Sequence, residues 1–369
     1  MIPFIALDEQ YKQLKSSIDS RIQKVLDHGK YIMGPEVAEL ESVLADFVGV
    51  KHVIGCSSGT DGLLMALMAW EIGPGDAVFT TPFTFISTAE VVSLLGATPV
   101  FVDIDPKTYN MDPQLLESTI EKTLKEEKLN PKAIIPVDLF GLPADYDEIK
   151  IIAKKYNLKT LEDAAQSFGA SYKGKRACSL GDAAVTSFFP AKPMGCYGDG
   201  GAVFTNNDGM AVDIRSIRVH GKGSNKYDNI RIGLNGRLDT IQAAVVLAKM
   251  AVFEDEINAR NKVAEQYTMG FKDQLITPEI PDGSVSVWAQ YSVQASSASE
   301  RASFMNKYKD AGIPTAIYYP KPLHLQQAFS NLGHKEGDFP VSEEVSKRIF
   351  SLPMHPYLST DVVNRVTSI

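Results

Sequence analysis

Between residues 52 and 205 the chain alternates short apolar runs with helix-length amphipathic stretches, and nothing else limits its fold as strongly. The runs HVIGCS, AVFTTPFTF, TPVFVDI, AIIPVDLFG and LKTLEDAAQS read as strands, and helices are expected from about Thr88, near 113–125 and near 145–156. Such alternation means a parallel or mostly parallel sheet with helices on both faces. Ligands of such folds bind beyond the carboxyl ends of the strands. Thr60, Phe85, Asp163 and Lys192 all fall at or just past strand ends, so they are expected to meet in one crevice. Two helices precede the alternation, at residues 8–28 with Gly29 to end it and from Pro35 to about Phe47. A helix near 207–219 and a polar loop follow it, and then LNGRLDTIQAAVVLAKMAVFEDEINARNKVAEQYTMGF reads as one long helix bridging two domains. From about residue 275 the pattern is a smaller α+β unit. At 369 residues the chain is long for one core, and the expected division is 1–250 and 251–369.

Residues 182–205 carry the most pointed signal. The apolar run Ala183–Phe189 ends in Pro190, Lys192 stands between Ala191 and Pro193, and Gly195, Gly198, Gly200 and Gly201 lead into a second apolar run. A stiff glycine-rich turn between two strands suits a lysine that must shed its proton and attack a carbonyl, because desolvation favours the neutral amine. An ordinary solvated lysine on a hairpin tip fits the segment equally well. Three further places carry paired readings. Ser57-Ser58-Gly59-Thr60, between a strand and a helix, points amides at an anion or simply caps the helix. Asp163, with Gln166 three residues on, suits a cationic ring nitrogen or an ordinary helix cap. Asn235 and Arg237 suit an anion or a partner chain, or a solvated loop.

Several classes are excluded on composition. The formal charge of −8 argues against nucleic acid. No apolar run reaches membrane-spanning length, and the N-terminal residues lack the blocks of a signal peptide. Cys56, Cys178 and Cys196 show neither zinc spacing nor a disulfide framework, and the six histidines are scattered, so no metal is expected and a cytoplasmic location is.

Taken together, GPEVAELE, SSGTDGL, TPFTFISTAE, EDAAQSFGA, SFFPAKPMGCYGDGGA, LNGRLDTIQAA and LPMHPYL resemble, in order and spacing, the sugar-nucleotide aminotransferases of the DegT/StrS type. These belong to the fold-type I pyridoxal-phosphate enzymes. The resemblance implies an aspartate-aminotransferase-like α/β fold: a three-layer α/β/α large domain with a mostly parallel sheet, plus a smaller C-terminal α+β domain. It implies that Lys192 forms the Schiff base with pyridoxal 5'-phosphate and that Asp163 keeps the pyridine nitrogen protonated. It places Gln166 by the ring hydroxyl, Phe85 on the ring face, and Gly59, Thr60 and Ser187 at the phosphate. Asn235 matches a residue supplied by the partner subunit, so a homodimer with shared active sites is implied. Within the family the resemblance is strongest to 3-aminotransferases of UDP-2-acetamido-2-deoxy-3-oxo-glucuronate, which use L-glutamate as donor in building bacterial surface polysaccharide. Arg237 is then the candidate for the uronate carboxylate, and Tyr318 and Tyr319 for sugar contacts. Tyr318 departs from the expected histidine before a tyrosine, and residues 124–131 look like a short surface insertion. The competing readings are a 4-aminotransferase of 4-keto-6-deoxy sugars and a non-catalytic regulator.

Overall fold

In the computed structural model, which describes residues 2–225, 227–272 and 274–369, helices α1 (Leu7–His28) and α2 (Pro35–Val48) precede the alternating region. Gly29 and Gly49, both left-handed, close them, and proline opens α2. There follow β1 (His52–Cys56), α3 (Gly59–Ala69), β2 (Asp76–Thr80), α4 (Ser87–Leu94), β3 (Thr98–Phe101), α5 (Pro113–Glu126), β4 (Asn130–Ile134), α6 (Tyr146–Lys155) and β5 (Lys159–Asp163). Two short strands, β6 (Ser171–Tyr172) and β7 (Lys175–Arg176), lead to β8 (Ala183–Ser187) and β9 (Gly201–Thr205).

Seven of these strands form one sheet in the order β1-β9-β8-β5-β4-β2-β3. Only β9 runs against the rest, pairing antiparallel with β1 and β8, while β8, β5, β4, β2 and β3 pair in parallel. Side chains alternate across the sheet. Ala184, Ala202 and Phe204 enter a core with Leu40 and Leu44 of α2, and Ala183, Val185 and Val203 enter another with Met65 and Leu67 of α3. Both faces are therefore covered by helices, which is why the strands read as continuous apolar runs. This is the three-layer α/β/α arrangement that the alternation implied.

Helix α7 (Asp208–Ile217) follows β9. The single long helix expected next is instead two, α8 (Thr240–Met250) and α9 (Phe253–Gly270), broken at Ala251 and Val252. No glycine or proline marks the break. Tertiary packing sets it: Phe253 and Ile257 at the start of α9 belong to the core of the large sheet, whereas Val263, Ala264 and Tyr267 belong to a separate core. Glu254, Asp255 and Glu256 in its first turn favour a helix start there. The second core is completed by β11 (Tyr291–Gln294), α10 (Ala298–Asp310), β12 (Ile349–Leu352) and α12 (Thr360–Thr367), with β11 and β12 paired antiparallel. Between these, β10 (Ser284–Val285) pairs with β6, and α11 (Pro340–Arg348) precedes β12. Residues 124–131 close α5 and enter β4 at the surface.

Candidate active site

The carboxyl ends of β1, β2, β5 and β8 bring the four expected residues into one region. Asp163, the last residue of β5, is buried. Its Oδ2 accepts a hydrogen bond from the Thr88 hydroxyl of α4 at 2.7 Å, and its Oδ1 accepts from the Ala165 amide at 3.2 Å. It thus caps a turn, one of the two readings open from sequence, while its other oxygen is held by Thr88. No ion pair involves it among the described residues. Burial raises its pKa, opposed by the bonds from Thr88 and Ala165 and by the Lys192 charge.

Lys192 follows β8 on a compact turn, closed by its own amide to the Phe189 carbonyl (2.8 Å) and by the Cys196 amide to the Phe188 carbonyl (2.7 Å). The residue is only partly exposed. Desolvation pulls its pKa down to about 8, with the Asp163 carboxylate pulling the other way. At neutral pH a usable fraction of the amine is therefore free, which a solvated lysine would not offer.

The start of α3, after β1, presents open amides. Ser58 caps α3, its Oγ accepting from the Asp61 amide at 3.0 Å, which leaves the Gly59 and Thr60 amides without an intrahelical acceptor. A side chain on Gly59 would come within 2.9 Å of the Ser187 Cβ, so Ser187 lies against this helix start and the space is kept by the glycine. The Thr60 hydroxyl pairs with that of Ser87 at 2.7 Å. Phe85, one turn before Thr88, leaves an apolar ring 54% exposed.

Gln166 links three segments. Its Oε1 accepts the Phe140 amide at 2.7 Å, and its Nε2 donates to the Tyr319 hydroxyl at 3.2 Å. Tyr319 also packs edge-on against Phe83, and burial raises its pKa. Tyr318 meets Tyr319 and Phe4 through ring contacts. Asn235 and Arg237 are not brought to Lys192: no hydrogen bond or ion pair among the described residues joins them to it. Their backbone runs beside the start of α3, Arg237 bridging to Cys56 and the Gly236 carbonyl accepting from Ser57 at 3.1 Å. Asn235 is exposed, and Arg237 keeps a buried Nε without an acceptor.

Sequence reasoning missed Thr88, Ser87, Asp138 and the Phe140 amide. Asp138 is a second buried carboxylate, accepting from the Ala144 amide and the Ser167 and Tyr146 hydroxyls. Burial, with Asp163 adding, raises its pKa. Thr88 lay within TPFTFISTAE, one helical turn beyond Phe85, and that spacing was the available signal. Among the described residues no helix is long and apolar enough to cross a membrane, and no group of three metal-ligating side chains occurs.

The sequence and the fold recur in known proteins. A model of the DegT/DnrJ/EryC1/StrS aminotransferase family matches residues 12–369. The UDP-2-acetamido-2-deoxy-3-oxo-D-glucuronate aminotransferase of Pseudomonas aeruginosa is 53% identical over 361 residues, covering 98% of this chain and 97% of that protein. A pleiotropic regulatory protein of Geobacillus stearothermophilus is 44% identical over 365 residues, covering 98% of this chain and 95% of that one. The crystal structure of a DegT/DnrJ/EryC1/StrS aminotransferase from Brucella abortus superposes with a TM-score of 0.97 at 50% identity, covering 100% of this chain and 98% of that chain. Solved aminotransferase relatives include forms with pyridoxal and with pyridoxamine phosphate. With the family model spanning almost the whole chain, the protein belongs to the DegT/DnrJ/EryC1/StrS aminotransferase family and is a PLP-dependent sugar aminotransferase.

Proposed function

We propose that the protein transfers the amino group of L-glutamate to the 3-keto group of UDP-2-acetamido-2-deoxy-3-oxo-glucuronate, with Lys192 as the group that holds the cofactor and moves the proton. One observation carries the chemistry: the half-buried Lys192, on the turn after β8, lies close enough to feel the charge of the buried Asp163, which has no ion-pair partner among the described residues. The residues fit pyridoxal phosphate at both ends. Its ring nitrogen would bring Asp163 the cation it lacks, and its phosphate would meet the open amides of Gly59 and Thr60 beside Ser187. Gln166, whose Nε2 has a second hydrogen to donate beside its bond to Tyr319, would meet the ring hydroxyl, and the exposed Phe85 ring would cover one face.

When bound, the cofactor supplies an electrophilic carbonyl and an electron-accepting ring. The chain supplies the rest. Asp163, steadied by Thr88, holds a proton on the ring nitrogen. With the cofactor in place, Lys192 would hold it through Nζ, and the same amine, once free, would move a proton between the substrate carbon and the cofactor. Arg237, without a carboxylate partner among the described residues, pairs with the uronate, and Tyr318 and Tyr319 line the sugar side.

The reading includes a homodimer in which Asn235 and Arg237 complete the neighbouring site. Support comes from the exposure of Asn235 and from Tyr31, Ile32, Met33, Phe189 and Tyr197, large apolar side chains exposed about the start of α8 and the lysine turn. Free, buried thiols at Cys56, Cys178 and Cys196 suit a reducing cytoplasm. The relative named for regulation carries little weight here, since a regulator has no need of an amine tuned by burial. The test is the absorption spectrum of the purified protein with pyridoxal phosphate. A band at the visible edge that bleaches with L-glutamate and returns with the 3-keto uronate is expected. Return only with a 4-keto-6-deoxy sugar moves the substrate assignment, and no band at all favours a regulator.

A further inference from the structure

A second lysine in the same neighbourhood has no role in the reaction as described. Lys249, in α8, is 1% exposed. Its Nζ donates to a single acceptor, the Gly195 carbonyl, at 2.6 Å, and lies 4.5 Å from the centre of the Tyr197 ring. No carboxylate is within ion-pair distance among the described residues. Glu256 is the acidic group that acts on it electrostatically, and that carboxylate is already engaged by Gln10 at 2.9 Å and by the Tyr357 hydroxyl. Burial therefore pulls the Lys249 pKa down to about 8. A buried ammonium facing one carbonyl and one aromatic face costs stability, and an apolar side chain of similar length would pack there more cheaply. Residues that break local rules in this way are expected where function demands them.

What Lys249 grips is the turn that carries Lys192. Gly195 is crowded, since a side chain there would come within 2.4 Å of the Pro190 carbonyl oxygen and 2.8 Å of the Phe189 carbonyl oxygen. Fixing its carbonyl therefore fixes the whole loop. Gln242, seven residues earlier on the same face of α8, accepts the Tyr197 amide at 2.8 Å and holds the next part of the loop. We propose that Lys249 is a positioning residue that clamps the lysine turn through Gly195 and so sets the orientation of the Lys192 amine. The proposal rests on the assignment of Lys192 as the cofactor lysine.

The decisive variant is Lys249→Met, measured as holoenzyme and as cofactor-free chain. The cofactor-free melting temperature is expected to stay level or rise. Turnover is expected to fall about tenfold with the glutamate KM little changed. The pH at which the bound cofactor changes colour, which reports the proton on the Lys192 nitrogen, is expected to move by about half a unit. Lys249→Gln keeps a donor for Gly195 and is expected to recover most of both. Unchanged turnover with an unmoved colour titration overturns the proposal. So does a lower melting temperature with turnover lost only in proportion to the folded fraction, or failure of both variants to fold. Borohydride reduction of the wild type keeps the two claims apart: if no cofactor-sized adduct lands on Lys192, the Lys192 assignment fails first.

Discussion

The two sides of the crevice are built differently. On the side of Asp163 and Gln166 every polar atom of note has a partner in the same chain: Thr88 and Ala165 for the carboxylate, Phe140 and Tyr319 for the amide. On the side of Asn235 and Arg237 the backbone is anchored beside Cys56 and Ser57, yet the Arg237 Nε has no partner and Asn235 is exposed, with no side-chain hydrogen bond among the described residues. A finished wall suits a group that stays bound and must be held in one orientation. An unfinished one suits a group that comes and goes, or a surface that a second copy covers. Asp163 and Gln166 therefore draw their partners from one chain, whereas the side chains of Asn235 and Arg237 stay open to a ligand or a second copy.

If this contrast is right, substitutions on the two sides fail in different ways. Asp163→Asn keeps the Thr88 bond and the packing but removes the charge, so turnover should fall about a hundredfold or more on every substrate while the melting temperature holds; rate measurements and a thermal melt check it. Loss restricted to one substrate would blur the two sides. Arg237→Ala should cost roughly tenfold to a hundredfold in kcat/KM with the uronate and little with a neutral sugar nucleotide. Equal losses on both would take Arg237 off the carboxylate.

The smallest effect is read in stability and belongs to the finished side. Burial holds the folded pKa of Lys249 at about 8 against 10.5 for an ordinary lysine, so between these the unfolded chain binds more protons and stability rises with pH. The thiols of Cys56, Cys178 and Cys196, whose pKa values burial pushes up, act in the opposite direction. The contribution is therefore read as a difference: the advantage of Lys249→Met over wild type should shrink by about 2 kcal/mol from about pH 7.5 to about pH 9.5 in denaturant unfolding. A constant difference would mean that the ammonium is not desolvated.

What was legible in the sequence was local. Apolar runs showed β8 and β9, Gly29 and Pro35 marked helix limits, and strand ends pointed to Thr60, Phe85, Asp163 and Lys192. What was hidden depended on distant partners. Thr88 and Asp163 are separated by 75 positions, and Gln166 and Tyr319 by 153, and no periodicity records such pairs. The break between α8 and α9 was hidden for the same reason, because two cores and no breaker residue impose it.

The most direct test of the contrast is to pair two impaired chains. Lys192→Ala alone should be inactive with the uronate, Asn235→Ala with Arg237→Ala alone should keep about a hundredth of wild-type activity or less, and co-expressed chains should be assayed together. If the open side is completed by a second copy, a mixed dimer has one site with both sets intact, and activity should return to roughly a quarter of wild type. If the mixture stays as inactive as its parts, each chain builds its whole site alone, and the division drawn here is wrong.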